Sequence, residues 1–244
     1  MPVIAVSNQK GGVGKTTTVI NLAAYLALAG KRTVIIDNDP QGNATTGLGC
    51  SLTEHSIYSG GQPVPTRSEL LFLIPAGHDL SDHDALTVAS DDRRLALRRA
   101  LEPIRSQFDY VFIDCPPTLS LLPVNALLAA DQLILPLQCE YFAMEGMAQL
   151  LAFVADLRIS SEVPLALAGI LLTMVDERQA LSRQVEADIR KHFGSVTFTH
   201  VIPRDVALAA APSHGQSIIE YQPLSPGSIA YCAVAKEILD GLER

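Results

Sequence analysis

Residues Val3 to Ala29 read VIAVSNQKGGVGKTTTVINLAAYLALA: a short apolar run, a glycine-rich turn and a stretch of helical period. Val3 to Ser7 has the length of a strand. Val19, Leu22, Ala23, Leu26 and Ala29 repeat at the spacing of one helix face, and Gly30 is placed to cap its end. Between strand and helix, Lys10-Gly11-Gly12-Val13-Gly14-Lys15-Thr16-Thr17 occupies the position of a phosphate-binding loop. Consecutive backbone N–H groups there can wrap phosphates, aided by the positive end of the helix dipole, and glycines let the backbone come close. Lys15 is placed to reach β- and γ-phosphates, the Thr16 hydroxyl to ligate Mg²⁺, and Thr17 to touch the α-phosphate. The generic pattern's first glycine is replaced by Gln9, and a second lysine, Lys10, follows it. One lysine suffices for phosphate contact within a chain. A second makes most sense beside another nucleotide's charge, the alternative being a solvated lysine.

Outward from this unit, Thr33 to Asp37, Leu71 to Pro75, Tyr110 to Asp114, Gln132 to Leu137, Ala168 to Val175 and Val196 to Ile202 read as further strands. Most are continuously apolar, as a parallel sheet covered on both faces requires. Helices are expected at Asp92 to Ile104, Leu121 to Ala130, Ala143 to Leu157, Ala180 to His192 and Ser228 to Leu242. The alternation predicts a doubly wound α/β domain spanning residues 1 to 244. Ser51 to Ser68, with Gly60, Gly61, Pro63 and Pro65, reads as a flexible surface excursion within that domain.

In open α/β sheets ligands sit at the carboxyl ends of the strands. Asp37 and Asp39 follow the second strand and Asp114 ends the Tyr110 strand, so all three should face the crevice that holds the phosphate loop. Carboxylates there can hold Mg²⁺ through water or orient an attacking water, the two tasks phosphoryl transfer needs.

Apolar residues make up 48% and charged residues 18% of the 244, which excludes global disorder. The net charge of −8 argues against a surface coated in positive charge while leaving room for a local basic patch. Cys50, Cys115, Cys139 and Cys232 lie far apart with no C-x-x-C pair, and read as buried free thiols of a reducing compartment. The longest apolar stretch, Leu165 to Val175, is well short of the roughly 20 residues that span a bilayer. No signal-peptide pattern opens the chain, so a cytoplasmic protein with no membrane partner is expected.

Six blocks in order, NQKGGVGKTTTVINLAAYLA, IIDNDPQGNATTGLG, FDYVFIDCPPTLSLLPVNALLAAD, LQCEYFAMEGMAQLL, TMVDERQALSRQVEADIRKHFG and IPRDVALAAAPSHGQSI, resemble the ParA/Soj partition ATPases. These are P-loop NTPases of the deviant Walker A type, and the likeness runs from about Val3 to Leu239. It implies an ATP-sandwich homodimer in which Lys10 reaches the partner's nucleotide. It further implies that Asp39 is the hydrolytic carboxylate, Asp114 the Mg²⁺-side carboxylate, Asp37 a supporting one, and that Pro203 and Asp205 lie in the loop that reads adenine. Most relatives carry Asn at position 205. The resemblance also implies non-specific double-stranded DNA binding in the ATP state, nucleoid association, and hydrolysis stimulated by a ParB-type partner, slow without it. A related alternative is a positioning ATPase that distributes a protein cargo such as a microcompartment or chemoreceptor array. A metabolic P-loop enzyme is a third, with no unassigned catalytic constellation to support it.

For DNA, Arg178, Arg183, Arg190, Lys191 and Arg204 stand against Glu186 and Asp188, a local excess of three that dimerisation doubles. Ala207 and Gln216 stand where many relatives have cations. The last helix places Ile229, Val234, Ile238 and Leu239 among alanines, as a core helix rather than a basic membrane-surface one. His78, Asp79, Asp82, His83 and Asp84 read as a solvated, capping cluster, and Arg93, Arg94, Arg98 and Arg99 as a solvated helix face.

Overall fold

Val3–Val6, Thr33–Asp37 and Tyr110–Asp114 are buried at every position, because each lies in the middle of a sheet covered on both faces. The computed structural model describes residues 1–85, 91–118, 120–140, 143–161 and 163–242. The first half runs β1 (Val3–Val6), α1 (Lys15–Leu28), β2 (Thr33–Asp37), α2 (Asn43–Gly47), β3 (Val64–Pro65), β4 (Leu71–Ile74), α3 (Leu80–Ala85), α4 (Asp91–Arg94) and α5 (Ala96–Arg105). It continues through β5 (Tyr110–Asp114), α6 (Leu121–Ala129), β6 (Gln132–Gln138), α7 (Ala143–Ser161), β7 (Ala166–Thr173), α8 (Ala180–Phe193), α9 (Val206–Ala210), α10 (Ile218–Tyr221) and α11 (Pro226–Leu242).

Among the described residues one seven-stranded sheet has the order β3-β4-β2-β5-β1-β6-β7, parallel except for β3 at the edge. Two apolar clusters cover its faces. One joins α5, α6 and α7 to the sheet through Leu101, Leu127 and Leu150, and the other joins α1 and α11 through Leu22, Leu26, Tyr231 and Val234. With β5 and β6 on either side of β1, the carboxyl ends of β1, β2 and β5 open into one crevice.

Several expectations are corrected. Val196 to Ile202 is not a strand: only isolated bridges link Thr197 to Ile170 and Pro203 to Val175. The Phe198 and Ile202 N–H groups do donate to the Ile170 and Leu172 carbonyls of β7, at 3.0 and 2.8 Å, but side chains take the groups between them. Arg190 donates to the carbonyls of Phe198 and Thr199, and Glu237 accepts the N–H groups of Thr199 and His200. The single helix expected from Asp92 to Ile104 is broken at Leu95 (φ −101°, ψ 8°), where Asn125 Oδ1 accepts the freed Leu97 N–H at 3.1 Å. Ser51 to Ser68 contains a 3-10 turn at Ile57–Ser59 and is tied into the sheet edge by β3, which pairs with β4. Cys115 and Cys139 are buried and Cys50 half-buried, whereas Cys232 is exposed. In α11 Val234 and Ile238 are buried as expected, but Ile229 faces outward. No helix among the described residues is long and apolar enough to cross a membrane.

Candidate active site

The phosphate loop connects the end of β1 to the start of α1, so its position follows from the central strand. Gly12 (φ 73°) and Gly14 (φ 89°) take left-handed conformations that a side chain would strain. Gly14 is the N-cap of α1 and supplies no side chain to it, leaving the first N–H groups of the helix for a ligand. Thr173 Oγ1 fixes the loop from β7 by donating to the Val13 carbonyl at 2.9 Å.

Lys15 is buried, and its ammonium folds back to donate to the Lys10 carbonyl at 3.0 Å. Burial pulls its pKa down, while Asp114, Cys115 and Asp39 push the other way. Thr16 Oγ1 donates to Asp114 Oδ2 at 2.7 Å. Asp37 and Asp114 are register neighbours across β2 and β5. Burial pushes Asp37 up to about 6, against the bonds from Thr45 and with the charge of Asp39 beside it. Burial, then the neighbouring Asp37, raises Asp114 well above the ordinary carboxylate range. Two buried carboxylates at adjacent strand ends are costly to charge together, and a cation placed between them and the phosphates offsets that cost.

Asp114 Oδ1 is buried with no hydrogen-bond partner. An orphaned carboxylate oxygen beside a threonine hydroxyl is the donor set a hard cation takes, and Mg²⁺ completes its shell with phosphate and water oxygens. Among the described residues no group of three or more His, Cys, Asp or Glu is gathered closely enough to hold a metal ion by itself. Asp37 is also bonded within the chain. Its Oδ2 accepts both the N–H and the hydroxyl of Thr45, at 2.7 and 2.6 Å, so it shapes the loop entering α2.

A cavity of about 520 Å³ is lined by the phosphate loop, Asp39, Asn43, Thr46 and Met174. A second of about 270 Å³ adjoins it, sharing Gly14, Thr17 and Met174 and extending to Pro203 and Asp205. The pair has the shape of a phosphate chamber with an annexe for a flat, largely apolar group. Asp205 already has structural work: Oδ1 caps α9 by accepting from Ala207 N at 2.9 Å, and Oδ2 accepts from Gly227 N at 2.8 Å. Lys10 lies outside the lining of the phosphate chamber and forms an ion pair with Glu140.

Sequence reading missed Met174, Thr173 and Thr45. Met174 holds φ 52°, a left-handed conformation rare outside glycine, and no local signal announces it. Thr45 is recognisable only through its contact with Asp37.

The expected DNA cations are spread along α8: Arg178 precedes it, Arg183 lies in its first turn, and Arg190 and Lys191 lie in its last, about 10 Å beyond Arg183 along the axis. Arg178 pairs with Asp176, Arg190 with Glu186 and two carbonyls, and Arg183 donates to the Glu177 carbonyl. Lys191 and Arg204 are exposed. Ala207 is buried in α9. The cluster near His78 is partly structural. Asp79 accepts three bonds from Ser56 and Ser59 and His83 stacks on Tyr58, while the side chain of Asp84 lies outside the described residues.

The family model described as an AAA domain matches residues 1–167. Sporulation initiation inhibitor protein Soj of Bacillus subtilis (strain 168) is 44% identical over 246 residues, covering 97% of each chain. Chromosome partitioning protein ParA of Caulobacter vibrioides (strain NA1000 / CB15N) is 45% identical over 249 residues, covering 97% of this chain and 93% of its own. Cobyrinic acid a,c-diamide synthase from Mycobacterium smegmatis, solved with ADP and magnesium, superposes with a TM-score of 0.84 at 35% identity, covering 100% and 96% of the two chains.

Proposed function

The chain belongs to the AAA-domain family of Soj and ParA partition ATPases, and from that membership we propose that it is a Mg²⁺-dependent ATPase whose ATP-bound homodimer drives DNA partition. ATP occupies the two adjoining cavities, triphosphate on the loop and base beside Met174 and Pro203. Lys15 and the first N–H groups of α1 hold the β- and γ-phosphates. Thr16 and Asp114 hold Mg²⁺, which supplies charge neutralisation at the transferring phosphoryl group. Asp39 lines the same chamber with one carboxylate oxygen accepting from Gln41 N at 2.9 Å, and orients the attacking water.

The observation that carries the dimer is Lys10. It is an exposed cation on the phosphate loop that pairs with Glu140 and not with its own phosphate chamber. A second protomer's nucleotide gives that charge a use. The ATP dimer then binds double-stranded DNA without sequence preference through cations of both copies, is stimulated by a ParB-type partner, and associates with the nucleoid.

Size-exclusion chromatography with light scattering tests this in ATP, ADP and no nucleotide. The parent protein should be dimeric in ATP alone, and Lys10→Ala should bind ATP yet stay monomeric. A parent that stays monomeric in ATP, or a dimeric Lys10→Ala, overturns the proposal.

A further inference from the structure

We infer that Tyr58 is a positioning residue for ATP hydrolysis, its hydroxyl acting through Asn38 on the loop that carries Asp39. The inference rests on the hydrolytic reading of Asp39 given above. Asn38 lies between Asp37 and Asp39 in sequence and is fully buried. A buried amide side chain is costly unless its donors and acceptor are matched. Asn38 is held from three directions. Its backbone N–H donates to Asp114 O at 3.1 Å, its Nδ2 donates to Leu122 O at 3.0 Å, and its Oδ1 accepts from the Tyr58 hydroxyl at 2.9 Å. The first two partners belong to β5 and the start of α6, which frame the crevice. The third comes from the excursion between α2 and β3, outside the lining of the phosphate chamber. Asn38 is one peptide unit from Asp39, so rotation or displacement of Asn38 moves the backbone on which the Asp39 carboxylate is mounted.

The excursion is fastened so that the hydroxyl arrives there. Asp79 accepts the Ser56 N–H at 2.8 Å, the Ser56 hydroxyl at 2.8 Å and the Ser59 hydroxyl at 2.6 Å. Partial burial raises the Asp79 carboxyl, but these bonds outweigh it and hold the group below the ordinary carboxylate value. A Cβ at Gly77 would lie 2.2 Å from both Ser56 N and Asp79 Oδ1, so the close approach of the two segments needs glycine at that position. The Tyr58 ring stacks on His83 with centroids 4.8 Å apart and planes at 28°. Backbone, ring and hydroxyl are each fixed. Phenylalanine would keep the stacking and packing, so the hydroxyl is the part that packing does not explain.

Tyr58→Phe should be compared with Tyr25→Phe, which removes a hydroxyl that donates to Ser228 O at 2.8 Å where α1 meets α11. The measurements are single-turnover ATP hydrolysis with Mg²⁺, ATP affinity by titration with a fluorescent ATP analogue, and thermal unfolding. Tyr58→Phe should slow hydrolysis about three- to tenfold, the effect of one lost hydrogen bond, with affinity changed by less than about twofold. Tyr25→Phe should lower the unfolding temperature and leave the rate within about twofold. Asp79→Ala, which frees the turn without touching the hydroxyl, should slow hydrolysis in the same direction as Tyr58→Phe. A Tyr58→Phe rate within about twofold of the parent, or an affinity that falls as far as the rate, overturns the inference. A parent that does not hydrolyse ATP removes the reading of Asp39 and this inference with it. A parent that does, beside an unaffected Tyr58→Phe, removes the inference alone.

Discussion

The crevice at the ends of β1, β2 and β5 and the surface of α8 both carry several charged side chains, and they treat those charges in opposite ways. In the crevice Lys15, Asp37, Asp39 and Asp114 are buried and close together, with an orphaned oxygen on Asp114. Along α8 the arginines are exposed or half-exposed, and the bonds of Arg178, Arg183 and Arg190 go to groups of their own chain. Buried, crowded charge stores interaction free energy that a ligand can release. Surface charge that is locally paired adds little until a polyanion displaces its partners. The net charge of −8 fits this contrast. On the proposed function a monomer would have weak, divided attraction for DNA, and doubling the cations in a dimer would make attachment depend on nucleotide and on salt.

The sharpest test of the contrast is in the crevice. Lys15→Ala should weaken ATP binding by about two to three orders of magnitude, since it removes a charge-assisted bond and leaves the carboxylates opposite without a counter-ion. A loss under about tenfold, by fluorescent nucleotide titration, would place the phosphate contact elsewhere. Asp39→Ala should slow hydrolysis about a hundredfold while ATP binding and the dimer persist, which chromatography in ATP reads directly. A persistent monomer sinks the scheme.

On α8 the expected effects are smaller and divide by residue. Arg190→Ala should lower the unfolding temperature by a few degrees, because the guanidinium holds Glu186 and the carbonyls of Phe198 and Thr199. Lys191→Ala and Arg204→Ala should leave stability unchanged. Each should reduce the slope of log affinity for DNA against log salt by about 0.9 for every phosphate that the protein no longer neutralises. If Arg190→Ala instead changes the salt slope alone, the division between structural and DNA-facing cations is wrong.

The smallest effect is on pH. A carboxyl whose folded pKa is raised contributes stability when protonated, and that contribution is lost as pH rises through the folded value. Asp37 is pushed up to about 6 and Asp114 moves in the same direction. In the nucleotide-free protein, Asp37→Asn should therefore gain in unfolding temperature relative to the parent between pH 4 and about 6, and the difference should level off above that. A difference that shrinks over that window would mean the pair is ionised more easily than burial implies.

The phosphate loop was legible because its chemistry is contiguous: strand, glycines, lysine, threonines and helix follow one another from Val3 to Leu28. The three aspartates were legible as strand ends. Their separate contacts were not, since Asp37 Oδ2 accepts two bonds from Thr45, and that follows from the turn into α2. Asp205 shows the same limit. Its place in a loop near the base was readable, but its capping of α9 and its bond to Gly227 depend on how the chain folds back. The seventh expected strand meets β7 only through the N–H groups of Phe198 and Ile202, because Arg190 and Glu237 claim backbone groups from Phe198 to His200, and neither lies within the apolar run that suggested a strand. The arginine cluster looked free because Asp176, the partner of Arg178, lies just outside the stretch from Arg178 to Arg204.

The sequence by itself determined the α/β architecture, the phosphate loop and the three carboxylates at strand ends, because local periodicity and motif spacing act over a few residues. The tertiary structure decided which carboxylate oxygen stays unmatched, which arginines are already engaged, and how Asp79 fastens Ser56 and Ser59 while Tyr58 reaches Asn38 from twenty positions away. Hydrogen bonds and burial are set by distances in space, and those exist only once the sheet has assembled its order.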